Sequence, residues 1–80
     1  MTIAEATVKR LLELCSERNI TINKISNISG ITQSTVSDIV NGTTTNTGIV
    51  TIKKLCDGLD ISVRTFFDSP LFDDLEQEVR

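Results

Sequence analysis

Between Ile22 and Asn41 two short stretches of helical periodicity are separated by only three residues, Gly30-Ile31-Thr32. That spacing constrains the fold more than any other feature, because two helices so closely joined must cross and bury their facing sides against each other. Ile22, Ile25 and Ile28 form the first stripe, with Thr21 as N-cap and Gly30 just past its end. Thr32 opens the second, which carries Val36, Ile39 and Val40 inward and stops at the turn pair Asn41-Gly42. Gly30 suits the positive φ that such a turn demands, and Ser26 is small where the helices approach. Ile25, Ile31, Val36 and Ile39 lock the crossing from inside.

The remainder of the chain reads as further short helices. Ala4, Val8, Leu11, Leu12 and Cys15 lie on one face of a helix started by the capping box Thr2/Glu5 and stopped near Asn19. A polar run, Thr43 to Gly48, reads as a loop. Ile49, Ile52, Leu55, Cys56 and Leu59 mark a fourth helix, and Ser62 caps a short fifth holding Val63, Phe66 and Phe67. After Pro70, Leu71, Phe72, Leu75 and Val79 give the C-terminal tail an apolar face and a possible sixth helix. No strand alternation appears. The fold class expected is all-α, a compact five-helix domain over residues 1–67 with an acidic amphipathic tail over 68–80.

With 80 residues the chain is one domain's length, and its net charge of −3 reads at first as an argument against polyanionic partners. The distribution changes that reading. Residues 1–67 hold seven Lys and Arg against six Asp and Glu, whereas 68–80 hold five carboxylates and only Arg80. The acidity belongs to the tail. No apolar run reaches the ~18 residues of a membrane span, and no secretory pattern opens the chain.

Enzymatic and metal chemistry find no support. The sequence has no His, no CxxC spacing, no Gly-rich phosphate loop and no nucleophile–base pair, so neither a metal nor a cofactor is expected. Asp73 and Asp74 are adjacent and would diverge on a helix. Cys15 and Cys56 extend apolar stripes and read as reduced, buried small hydrophobes, which suits a cytoplasmic location.

At 100° per residue the second helix of the pair turns Val36, Ile39 and Val40 one way. Ser34, Ser37, Asp38 and Asn41 then face the other, with Thr35 on a flank and Gln33 leading. An outer face rich in uncharged hydrogen-bonding groups suits reading base edges in a major groove. Gln can bond adenine through two atoms, and a Thr methyl can touch a thymine methyl.

The wording from Thr21-Ile-Asn-Lys-Ile-Ser through Gly30-Ile-Thr-Gln-Ser-Thr-Val-Ser to Asn41-Gly42 resembles the Cro/phage-repressor-like helix-turn-helix regulators, the XRE family. The later segment Ile52-Lys-Lys-Leu-Cys-Asp-Gly-Leu-Asp-Ile-Ser-Val-Arg-Thr-Phe-Phe67 extends the likeness, which spans roughly residues 5–67. It implies a lambda-repressor-like DNA-binding domain with Gln33, Ser34, Thr35, Ser37 and Asp38 at base edges. Asn23, Lys24, Asn41, Thr43, Thr44, Thr45, Asn46 and Gly48 would meet the sugar-phosphate backbone, with loop amides and the fourth helix's N-terminus as anion ligands.

The chain departs from that family in three places. Ile22 stands where relatives carry a phosphate-clamping Gln, Asp38 is anionic, and the 43–47 loop has no Lys or Arg. Lys24, Lys53 and Lys54 are the candidate phosphate cations. The expected activity is repression from a two-fold symmetric operator by a homodimer whose contact uses Phe67, Leu71, Phe72, Leu75 and Val79. Packing of those residues on the domain's own core is the alternative. A different reading makes the chain a protein-interaction module, such as an antitoxin, that engages a protein partner through the acidic tail.

Overall fold

The computed structural model describes residues 1–79. Its elements run α1 (Ile3–Glu17), α2 (Ile22–Ser29), α3 (Gln33–Val40), α4 (Ile49–Leu59) and α5 (Val63–Phe67), then a single 3₁₀ turn at Pro70–Phe72. Four of the five helices start where a hydroxyl replaces a missing backbone acceptor. Thr2, Thr21, Thr32 and Ser62 accept from the N–H groups of Glu5, Lys24, Thr35 and Thr65. Glu5 returns the favour by accepting from Thr2 N–H at 2.9 Å, which completes the capping box and holds its carboxyl below the usual range. The all-α expectation and the helix starts thus hold. Asn19 sits at φ 53° just beyond the end of α1, where its left-handed backbone turns the chain toward α2.

The core gathers Leu11, Leu14 and Cys15 of α1, Ile25 of α2, Val36 and Ile39 of α3, Ile52, Leu55, Cys56 and Leu59 of α4, and Phe66 of α5. Three apolar residues expected inside lie outside. Leu12, Ile28 and Ile49 are exposed, and Ile49 keeps 66% of its surface. In α1 the buried strip is rotated toward Ala6, Thr7, Arg10 and Leu14. The reason is Arg10, whose Nε donates to Phe66 O at 2.7 Å and whose Nη2 donates to Thr65 O at 2.9 Å. Its third contact is the Glu13 carboxylate. A charged residue therefore occupies the buried side of α1 and donates to two carbonyls in the last turn of α5, Thr65 O also accepting from Asp68 N–H.

Ile28 yields its place to Ser29 because α2 approaches α4 closely at Gly58. A Cβ on Gly58 would collide with Ser29 Oγ and would lie 3.1 Å from Ser29 N and 3.2 Å from the Ile28 carbonyl carbon. Ser29 Oγ is itself buried without a hydrogen-bond partner among the described residues.

The tail departs most from expectation. Leu71, Phe72, Leu75 and Val79 do not share a helix; only Pro70–Phe72 is ordered as one 3₁₀ turn, with Ser69 as its cap. Phe72 instead joins Phe66 and Phe67, with ring centroids 6.5 and 4.9 Å away and the Phe66–Phe67 pair at 5.0 Å. Phe67 and Phe72 are consequently engaged within their own chain. This is the packing on the domain's own core that stood as the alternative to a dimer contact, and both rings stay half-buried. Leu71 and Leu75 are half-buried, while Val79 is 84% exposed.

The α2–α4 contact is directly testable. Gly58→Ala should destabilise the domain by about 1 kcal/mol, since overpacking outweighs the ~1 kcal/mol of helix propensity gained. Ser29→Ala should be neutral or slightly stabilising, because it removes an unpaired buried hydroxyl. The double variant should recover part of the Gly58→Ala loss in urea denaturation, and additive effects would refute the contact.

Candidate nucleic-acid interface

The joint between α2 and α3 is built from three local devices. Gly30 adopts φ 66°, a left-handed C-cap that an L side chain would strain. Ile31 N–H donates back to Ser26 O at 3.2 Å, and Ser26 Oγ donates to Ile31 O. Ser26 is buried, so both of its polar ends are spent on fixing the turn. Thr32 then restarts the chain as a helix, accepting from Thr35 N–H at 3.2 Å.

Behind α3, Val36 and Ile39 are buried, and Val40 packs partly against the same core. On the outer side Gln33, Ser34, Thr35, Asp38 and Asn41 are exposed, while Ser37 is half-buried. The residues expected to read bases thus occupy one solvent-facing surface, with Ser37 at its margin. Asn23 and Lys24, in the first turn of α2, are also exposed.

The loop after α3 is less free than the sequence suggests. Asn41 N–H donates to Ser37 O and Gly42 N–H to Ile39 O. Thr43 and Thr44 N–H both donate to Asp38 O, at 2.9 and 3.2 Å. Those two amides are consumed in closing the helix end and cannot serve as the anion ligands expected of them. Their side chains remain: Thr43 and Thr45 are exposed and Thr44 half-buried. The α4 start is different in kind. Gly48, its N-cap, brings no side-chain acceptor, so the first-turn amides of α4 have no capping partner among the described residues. Ile49 and Val50, both 66% exposed, flank those amides.

Cations are scarce here. Lys53 Nζ is hydrogen-bonded to Asp57 one turn on, an exposed pair that raises the lysine pKa. Lys24 and Lys54 are exposed and form no ion pair among the described residues. A groove of about 660 Å³ runs between α1 and the end of α3, lined by Glu5, Val8, Lys9, Asn41, Thr44 and Glu76 among others. Lys9 and Glu76 are neighbours of the loop that periodicity could not reveal, since tertiary folding alone brings them there. Elsewhere, burial pushes the Cys15 and Cys56 thiols above their ordinary pKa, so neither is poised as a nucleophile. No helix among the described residues is long and apolar enough to cross a membrane.

Comparison with known families decides the identity of this arrangement: the Cro/C1-type HTH DNA-binding domain matches residues 3–69. The chain belongs to that family. Its fold is a Cro/C1-type helix-turn-helix, with α2 and α3 as the motif, and its role is that of a DNA-binding regulator rather than an enzyme. The solved structure described as prophage Lp1 protein 11 is similar over 94% of this chain and 99% of its own, at 37% identity and a TM-score of 0.81. None of the curated proteins compared matches the chain.

Because Thr32 alone supplies the side-chain cap of α3, Thr32→Ala should cost about 1 kcal/mol. For a domain of this size that lowers the melting midpoint by roughly 4–8 °C. Thr32→Ser should retain most of the stability, and circular-dichroism melts distinguish the two.

Proposed function

We propose that this Cro/C1-type domain is a sequence-specific repressor that inserts α3 into the major groove of its operator. The observation that carries the reading is the two-sidedness of α3: Val36 and Ile39 anchor it from behind while Gln33, Ser34, Thr35 and Asp38 stand exposed in front. Gln33 bonds adenine, Ser34, Thr35 and Ser37 make shorter contacts, and Asp38 accepts from the amino group of cytosine or adenine. Asp38 faces a cost near phosphates, so it favours only sequences that offer such a donor.

Positioning falls to the sugar-phosphate contacts of Asn23, Lys24, Asn41, the hydroxyls of Thr43, Thr44 and Thr45, and Asn46. The uncapped start of α4 at Gly48 supports an anion-binding role for its amides. Few cations take part, so binding should be weakly salt-dependent, with a log–log slope of roughly −3 to −4.

One module of this size reads few base pairs, which favours a homodimer on a two-fold symmetric operator, working in the cytoplasm. Phe67 and Phe72, both half-buried, remain with Leu71, Leu75 and Val79 as the residues through which a second copy would be met. A purely protein-binding role for the tail has less support, because its largest apolar side chain packs at home. The domain proper is residues 1–67 with the tail as an appended strap.

In-vitro selection from a random duplex pool should return a two-fold symmetric consensus. Gln33→Ala should lose preference for that site while melting at the wild-type temperature, since Gln33 is exposed and makes no side-chain hydrogen bond among the described residues. Equal wild-type affinity for selected and scrambled duplexes would sink the proposal.

A further inference from the structure

The acidic tail finishes beside the DNA-binding motif, not away from it. Beyond the 3₁₀ turn, Glu76 N–H donates to Met1 O at 3.0 Å, strapping the chain across the start of α1. There Glu76 lines the same groove as Asn41, Gly42, Thr44 and Thr45 at the far end of α3. Its side chain is 57% exposed, and its contact to the Met1 amine at 3.6 Å is an exposed pair of the kind that water and salt largely screen. Glu5 and Lys9 line this groove too, and the Met1 amine sits at its edge beside Glu76. Glu5 and Glu76 stand against Lys9 and the Met1 amine, so the two carboxylates cancel the positive potential that this side would otherwise present beside the residues assigned to the sugar-phosphate backbone.

We infer that Glu76, held in place by this strap, is an affinity-setting residue of the DNA interface that repels the phosphate backbone at the α3–α4 loop. The inference rests on the placement of Asn41–Thr45 against that backbone proposed above. Repulsion of this kind is blind to sequence, so it weakens binding to every duplex by a similar factor. Sites whose base contacts exceed that handicap are held, and random DNA is released. Within a Debye length of about 8–10 Å the charge is felt at the loop, and beyond it the effect fades. Position along the fold therefore matters more than the total charge of the tail.

Asp74 supplies the internal comparison. It carries the same charge but lines a different pocket, with Met1, Glu13, Ser69, Pro70 and Leu71; it shares Met1 with the strap but lies against no residue of the helix-turn-helix there. The experiment measures affinity of the full chain for a random-sequence duplex by fluorescence anisotropy across a salt series. Glu76→Gln keeps the backbone N–H that forms the strap and removes the carboxylate charge, and with it the exposed pair to the Met1 amine. It should bind about two- to threefold more tightly near 0.1 M salt, and Glu76→Lys about fivefold or more, with a steeper salt dependence. Asp74→Asn should move affinity by less than half as much as Glu76→Gln.

Equal affinities for Glu76→Gln and wild type would overturn the inference. Equal gains for Glu76→Gln and Asp74→Asn would overturn it as well, by assigning the effect to net charge. In both cases the DNA-binding reading survives, because the duplex is still bound. Absence of duplex binding by all the proteins at low salt would remove that reading and this inference together.

Discussion

The approach of α2 to α4 at Gly58 is the contact on which the placement of the motif depends. Without a Cβ there, the end of α2 settles against α4 closely enough to bury Ser29 and turn Ile28 outward. Once α2 is seated, Gly30 and the paired bonds between Ser26 and Ile31 leave the next helix little angular freedom. The outer face of α3 is thus aimed by a contact made one helix away from it. An unpaired hydroxyl at Ser29 is tolerated as part of that arrangement, at a cost that packing offsets.

Local hydrogen-bond chemistry made much of this architecture legible. Thr2, Thr21, Thr32 and Ser62 cap helices because a hydroxyl reaches the amide three residues on, and sequence records such spacing faithfully. Gly30 and the inward side of α3 were readable for the same reason. Burial is decided by partners distant in sequence, which periodicity alone does not see. Leu12, Ile28 and Ile49 fit their stripes yet face water, while Arg10 breaks the pattern and is buried, because α5 presents carbonyls that a guanidinium satisfies. The tail misled in the same manner. Its spacing suits a helix, but Phe72 gains more from the rings of Phe66 and Phe67 than from a regular backbone.

At the candidate interface, residue types were easier to anticipate than their availability. Thr43 and Thr44 look like open loop donors in the sequence, but the carbonyl of Asp38 claims both amides. The amides left without a side-chain cap are those at the α4 start, where glycine brings no acceptor. Lys53, one of the few cations on that side, is drawn toward Asp57. The overall acidity is likewise a matter of location, since one tail carboxylate shares a groove with the loop and another does not.

The Arg10 clamp has a consequence for the order in which the domain forms. Its two carbonyl partners lie 55 and 56 residues downstream, so the longest-range side-chain hydrogen bonds among the described residues tie the first helix to the last. Contacts of such separation carry a large loop-closure entropy and form late. During synthesis α1, α2 and α3 would leave the ribosome long before Thr65 and Phe66, with the guanidinium still hydrated. A nascent chain therefore cannot tie its first helix to its last until Thr65 and Phe66 emerge, and the clamp closes only when α5 is made.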